Sequence, residues 1–265
     1  MGLHVSMNLL AVIANHNCNL NAIALKKALL PLVDTIIIDS GSTIDDSIAG
    51  YFDIQLENVF YSGILNRAHD EMKSRRCSHL LLINSDVLIA DPGRLIDRIQ
   101  TVMKITGAQL YSPSVEDKSH NHNHMVRKSD GDWHNVTFVD GFCFVASRDI
   151  LDNCCPVDLK VNKIGHGVDI YMGFLAMKNK ADAVVDDRLT VYHPPGSGYD
   201  SKIARTMRDA WFKNKSLPAR LFHSLASEDF LKNAFGYWII KLVLGVVLAV
   251  LRDRRAGDRD GQPGR

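Results

Sequence analysis

Short, unbroken apolar runs alternate with amphipathic stretches over the first two hundred residues. Leu9 to Ala14 is apolar throughout, as a strand buried on both faces must be, and a helical pattern follows from Asn21 to Leu30. Thr35 to Ile38 is again β-rich. Asn58 to Tyr61 is a weaker strand candidate ahead of a helix from Ile64 to about Arg75. Leu80 to Ile83 predicts a strand that ends in polar residues. Pro92 then opens a helix running to about Thr106, where Gly107 stops it. Repeated strand–helix units with continuous apolar strands predict an α/β fold, a mostly parallel sheet flanked by helices on both faces.

From Tyr111 to Asn135 the pattern breaks into a polar stretch rich in His and Asp, read as a loop. Val136 to Ala146 and Leu189 to Tyr192 return to β character, with a helix near Asp169 to Lys178 between them. After Asp200 the chain becomes helical and basic, then strongly apolar from Phe235 to Leu251. A polar tail, 252–265, is expected to be disordered. The division expected is a catalytic body over 1–200, a helical extension over 201–251, and the tail.

Composition narrows the class. With 265 residues, 46% hydrophobic and 23% charged, the chain is an ordinary folded protein, which excludes a collagen or a wholly disordered polymer. The net charge of +1 gives no case for nucleic acid as a partner, but it hides an asymmetry. From Lys202 onward there are 13 Lys and Arg against 6 Asp and Glu, so that stretch carries +7 and the rest −6. A basic tail on an acidic body points to an anionic partner for the tail. The five cysteines are odd in number and include no C-x-x-C pair, so neither a disulfide framework nor a zinc site is signalled. Met1 to Val12 lacks the charged start and cleavage site of a signal peptide, and cytoplasm is the expected compartment.

In open α/β sheets ligands bind beyond the carboxyl ends of the strands. Polar clusters follow three of the predicted strands: Asn15-His16-Asn17, Asp39-Ser40-Gly41-Ser42 and Asn84-Ser85-Asp86. An Asp at a strand end can accept hydrogen bonds from a base or ribose, and a glycine lets backbone approach a ligand. Such residues also cap turns, so each cluster alone has a purely local reading.

Taken in order, these clusters resemble the GT-A glycosyltransferases, in particular the large inverting family 2 of nucleotide-sugar-dependent enzymes. Ile36 to Thr43 resembles that family's strand and Asp-x-Gly-Ser-Thr turn. Gly63-Ile64-Leu65-Asn66-Arg67-Ala68 is similar to its helix start, with the Asn one residue early. Leu81 to Asp86 resembles its D-x-D segment, with Asn84 in place of the first Asp. The resemblance spans Leu9 to Tyr199. It implies a nucleotide-sugar site at Asn15, Asp39, Ser40, Gly41, Asn66, Asn84 and Ser85, with uracil the favoured base. A leaving diphosphate needs a hard cation, Mn²⁺ or Mg²⁺, which Asp86 and, after the last strand, His193 would hold. An inverting transfer needs a carboxylate base. Asp169, after Gly165-His166-Gly167-Val168 and at a helix start, resembles that motif, with a plain helix cap as the lesser alternative. Asp140-Gly141-Phe142 resembles the border of the acceptor pocket. His120, His122 and His124 alternate in a loop without a completing carboxylate or Cys, and are not taken as a metal site.

The expected activity is transfer of a sugar to a glycan or polyprenyl-linked acceptor in bacterial surface-polysaccharide or glycolipid synthesis. Seventeen residues of helix, Phe235 to Leu251, reach roughly 25 Å, short of the about 30 Å of a bilayer core. The expectation is therefore an interfacial anchor on an anionic membrane, peripheral on the inner face, with a single span as the second choice and a packing helix as the plain alternative. Two rival functions are a non-catalytic glycan- or nucleotide-binding scaffold, which Asn84 keeps open, and a sugar nucleotidylyltransferase. The second would need a Gly-rich basic loop after the first strand, and Asn15-His16-Asn17-Cys18 is not one.

Overall fold

A computed structural model describes residues 7–116, 123–128, 131–194, 199–226 and 234–260 of the chain. Its elements run β1 (Leu9–Asn15), α1 (Asn19–Leu29), β2 (Asp34–Ser40), β3 (Ile54–Leu56), α2 (Phe60–Ser74), β4 (His79–Asn84) and α3 (Pro92–Thr106). Then come β5 (Leu110–Val115), β6 (Trp133–Val136), β7 (Cys143–Ser147), α4 (Arg148–Cys154), α5 (Leu159–Asn162), α6 (Val168–Lys178) and β8 (Ala183–Val191). Three helices close the chain: α7 (Ser201–Lys213), α8 (Leu217–Ala226) and α9 (Ala234–Asp260).

The eight strands form one sheet in the order β3-β2-β1-β4-β7-β5-β8-β6. Its first half is parallel: β1 pairs with β2 and β4, and β2 with β3. β7 runs against both of its neighbours, β4 and β5, so β5 and β8 point the same way as β1. Every residue of β1 is buried, because strands flank both its edges and helices cover its faces. The expected α/β architecture with flanking helices is what the chain forms, as a mixed sheet. Asn15, Asp39 and Asn84 reach the same end of the sheet through the register of these strands.

Several elements differ from the sequence expectation, among them β6, which begins inside the stretch read as loop, and α4 and α5, which no pattern announced; three differ for a reason the side chains show. The third strand is Ile54–Leu56, not Asn58 to Tyr61. Asn58 instead forms the turn into α2, its Oδ1 accepting from the Phe60 amide at 3.2 Å. β5 lies in the stretch read as loop, since Ser112, Pro113 and Ser114 hide its buried character. The two hydroxyls are satisfied inside the sheet, Ser112 donating to Cys143 O at 2.8 Å and Ser114 to Leu189 O at 3.0 Å. β8 starts at Ala183 rather than Leu189 because two buried carboxylates interrupt its apolar pattern. Arg98 donates twice to Asp186, at 2.8 Å each, and Tyr111 donates to it at 2.9 Å. Asp187 meets His134 Nδ1 at 2.9 Å. Buried charge is retained here because it is paired and hydrogen-bonded.

The composition changes at residue 200, but the core does not end there. Trp211, Phe212, Ala219, Phe222, Tyr237, Ile240 and Leu244 are all buried in the same cluster as the strands. Phe222 stands edge-on to Phe174 of α6, 5.8 Å between centroids. Residues 252–260, expected to be disordered, continue α9, as a run with four Arg allows once a helix is nucleated. The remaining tail, 261–265, lies outside the described residues, as do residues 1–6, His120, His122 and Pro195. Among the described residues no helix is long and apolar enough to cross a membrane.

Candidate active site

The carboxyl ends of β1 and β2 carry a tight polar network. Asn15 Nδ2 donates to Asp39 Oδ1 at 2.7 Å, to Asn19 Oδ1 at 2.8 Å and to Ser42 Oγ at 3.1 Å. Asp39 also accepts from the Ser42 amide at 3.0 Å and from its hydroxyl. Both Asn15 and Asp39 are buried, and Asn15 Oδ1 is an acceptor enclosed without a hydrogen-bond partner in the protein. Ser40 is turned inward, accepting from the Val59 amide at 3.0 Å. Gly41 has φ +71°, and a Cβ there would lie 2.9 Å from the Asn58 backbone N. Asn58 thus makes a close approach that requires this glycine.

Asn66 is placed differently from its expected role. Its amide donates to Val157 O at 2.9 Å and accepts from Val157 N at 2.7 Å, which ties α2 to the segment after α4. An amide using both of its ends on backbone is a structural clamp, and Asn66 does not join the Asn15–Asp39 network.

At the end of β4, Ser85 is buried with its amide on Ala14 O at 2.9 Å, and the Asn84 amide donates to Phe142 O at 2.8 Å. These bonds hold the segment carrying Asp86 across the top of the sheet. Leu88 and Tyr192 then pair as an antiparallel bridge, with N–H···O distances of 2.8 and 3.1 Å. That bridge brings His193 to Asp86, Nε2 to Oδ1 3.7 Å. The imidazole stacks on Phe142 at 4.9 Å and is largely buried, whereas the Asp86 carboxylate is nearly half exposed. A fixed imidazole beside an accessible carboxylate offers one nitrogen and up to two oxygens to a cation. Among the described residues no group of three or more His, Cys, Asp or Glu could hold a metal by itself. Asp86 and His193 make half a coordination shell, which fits a cation completed by diphosphate oxygens.

The third part of the site is the entrance to α6. Asn162, fully buried, accepts from the Gly165 amide at 3.1 Å and donates to His166 O at 3.1 Å. Ser62 of α2 anchors the same turn, its hydroxyl on Asn162 O at 2.6 Å. Gly165 and Gly167 both sit at φ +83°, and each makes room for a side chain. A Cβ on Gly165 would lie 2.5 Å from Tyr61 Cδ1, and one on Gly167 would lie 2.7 Å from Arg208 Cγ. The turn so shaped presents Asp169 in the first turn of α6, where its Oδ1 accepts from the Ile170 amide at 2.8 Å. Burial, and then the negative charge of Asp140, push the Asp169 carboxyl up to about 7. Helix amides and Arg208 oppose that rise without cancelling it. A carboxylate poised near neutrality is suited to taking a proton from a hydroxyl.

Four residues around Asp169 and the neighbouring Asp140 were not legible as site residues in the sequence. Tyr61 reaches between Gly141 and Gly165, its hydroxyl enclosed with no hydrogen-bond partner in the protein. Burial and the Asp169 charge raise its pKa well above that of an ordinary phenol. Tyr199 is raised by the same two causes and by Asp140. Arg208 arrives from α7, a hundred and more residues from the strand-end motifs. His124, set aside as a metal ligand, is buried with Nε2 4.0 Å from Asp140 Oδ1 and its ring against Phe138. Only the glycines gave a signal, because each marked a place where something bulky approaches.

The sheet order, the antiparallel β7 and the site at the carboxyl edge define a GT-A fold, the fold of nucleotide-sugar glycosyltransferases. Three solved structures are similar to the chain. GalNAc-T7 with UDP, GalNAc and Mn²⁺ matches at a TM-score of 0.59 and 10% identity, over 84% of this chain and 51% of its own. Glucosyl-3-phosphoglycerate synthase from Mycobacterium tuberculosis, with Mn²⁺, UDP and glucosyl-3-phosphoglycerate, matches at 0.51 and 15%, over 82% and 80%. The mannosyltransferase PcManGT from Pyrobaculum calidifontis, with GDP-Man and Mn²⁺, matches at 0.52 and 13%, over 92% and 86%. The chain thus spans about half the length of GalNAc-T7. No protein-family model and no curated protein matches the sequence.

Proposed function

We propose that this chain is an inverting glycosyltransferase that moves a sugar from a nucleoside-diphosphate donor to a hydroxyl of a glycan or polyprenyl-linked acceptor. The observation that carries the reading is Asp169: a half-buried carboxylate, raised to about 7, at the mouth of a loop that α2 and α7 hold in place. The fold and the bound species of its neighbours support the donor class, and the two UDP complexes support a uridine donor. The Asn15–Asp39–Ser42 network would hold the nucleoside. Asp86 and His193 would hold Mn²⁺ or Mg²⁺ with the diphosphate, and Asn84 would lie beside them. The bound cation supplies charge neutralisation to the departing diphosphate.

The chain's own residues do the rest. Asp169 accepts the acceptor's hydroxyl proton as that oxygen bonds to the anomeric carbon. The bond to the diphosphate oxygen breaks on the opposite face, and its electron pair leaves with the nucleoside diphosphate. Asp140, Gly141 and Phe142 border the acceptor, and the Asp140 charge keeps Asp169 basic enough to take the proton. Hydrolysis, in which water is the acceptor, tests this without knowing the acceptor. Nucleotide sugar incubated with Mn²⁺ should release sugar whose first-formed anomer, read by NMR, is inverted relative to the donor. Retention would overturn the direct displacement, and no release from any common donor would overturn the transferase reading.

A further inference from the structure

The helix α9 is polarised the wrong way round for a surface helix. An ordinary amphipathic helix turns its apolar stripe to the core and its charges to water. Between Tyr237 and Ala249 the sole charged side chain of α9 is Lys241, and it is directed inward. Its Nζ donates to Asp182 Oδ1 at 3.0 Å and to the Tyr237 hydroxyl at 2.7 Å, and that hydroxyl itself binds Asp182. Tyr237, Ile240 and Leu244 take the helix onto the body. The opposite face is formed by Trp238, Leu242, Val243, Gly245, Val246 and Ala249, all exposed and none polar. Trp238 is 60%, Leu242 71% and Val246 58% exposed. Spaced by four, they form one continuous ridge.

A ridge of this composition is costly in water, and a lone packing role does not account for it, since the packing face is the other one. Its neighbours say what covers it. α8 packs directly against α9, and α7 against α8. These two helices carry five Lys and Arg against one Asp, and Lys215 lies in the turn between them; Lys202, Arg205, Lys213 and Arg220 are exposed. A hydrophobic ridge with an exposed Trp, beside a cationic pair of helices, matches the two halves of an anionic bilayer surface. A second copy of the chain would bring the same positive charge against itself. The anchoring contacts of Tyr237 and Lys241 are at Asp182, just before β8, whereas His193 follows its far end. Nine residues of strand put roughly 30 Å between the two, so the anchoring contacts of α9 stand away from the metal edge of the candidate site.

We infer that the outward ridge of α9, with the basic face of α7 and α8, docks this protein flat onto an anionic membrane surface. Only the side chains of the ridge enter the lipid, because the helix lies along the body instead of crossing a bilayer. This inference does not depend on the catalytic reading.

The test is flotation of the full chain with vesicles of phosphatidylglycerol and phosphatidylcholine, against vesicles of phosphatidylcholine alone. The wild type should float with the anionic vesicles and lose binding as salt is raised, by about fivefold for each basic residue engaged. Trp238→Ser with Leu242→Gln and Val246→Gln should lower partitioning at least about a hundredfold, given the apolar area removed. The melting temperature and nucleotide binding should not change. Leu242→Gln alone gives a milder variant in case the triple change disturbs the fold. Equal flotation on neutral vesicles would overturn the anionic commitment. Absence of flotation would overturn the proposal, as would a dimer, seen by light scattering, that the ridge substitutions dissociate.

Discussion

The two ends of the candidate site are built on opposite principles. At the nucleotide end, Asn15, Asp39 and Ser42 come from two adjacent strands and the turn following one of them, and direct hydrogen bonds lock them together, leaving Asn15 Oδ1 as an enclosed acceptor without a protein partner. At the catalytic end, Asp169 is surrounded by Tyr61, Asp140, Tyr199 and Arg208, from four separate parts of the chain. There like charges are brought together: the Asp140 carboxylate acts on Asp169, and the Tyr61 hydroxyl is enclosed beside them. A network of neutral donors around one carboxylate holds shape and keeps an acceptor for a ligand. A cluster left with unbalanced charge holds a proton at neutral pH, which is what a general base must give up and take back. The difference assigns binding to one end and chemistry to the other.

The comparison can be broken most directly at Asp169. Asp169→Asn keeps the shape of the helix start but removes the proton acceptor, so turnover should fall about 10²–10⁴-fold with nucleotide affinity unchanged by calorimetry. The pH behaviour has a definite sign. The base works when deprotonated, so wild-type turnover should decline as pH falls through about 7. Stability should move the opposite way. A carboxyl raised in the folded state binds its proton more tightly there than in the unfolded chain, so stability drops as pH rises from about 4 to about 7. Asp169→Asn should remove that slope in thermal unfolding.

A smaller effect separates the metal edge from the nucleoside network. Asp86→Ala should weaken Mn²⁺-dependent binding of a nucleoside diphosphate by about ten- to a hundredfold, the worth of one charged contact, while leaving metal-free nucleoside binding intact. Equal loss of both would mean that Asp86 supports the fold. Asn66→Ala should do the reverse. Losing both clamps on Val157 should cost about 2 kcal/mol of stability, read by denaturant unfolding, with no change in nucleotide affinity. Reduced affinity at full stability would return Asn66 to the nucleotide site. The finest prediction concerns Asp140→Asn. Removing the negative charge that faces Asp169 should move the acid limb of the rate profile to lower pH, and an unmoved limb would leave burial as the whole cause.

What the sequence determined by itself is local. Continuous apolar runs specified β1, β2 and β4, because a strand covered on both faces has no room for a polar position, and Pro92 and Gly107 fixed α3 at both ends. The polar residues just past those strands were legible as a site because parallel pairing in register must bring them to one edge. Asp169 was legible from its glycines. Tertiary structure decided the rest. β5 and β8 were hidden because their Ser and Asp side chains are satisfied by partners up to 88 residues away, which no local pattern records. Asn66 was misplaced because a motif cannot say whether an amide will face a ligand or a passing backbone. The tail was read as a separate extension because its composition changes, although its aromatic residues complete the core. Lys241 shows the reason most plainly: in sequence it is a charge interrupting an apolar helix, and only the position of Asp182 decides that this charge points inward and leaves the apolar ridge to the outside.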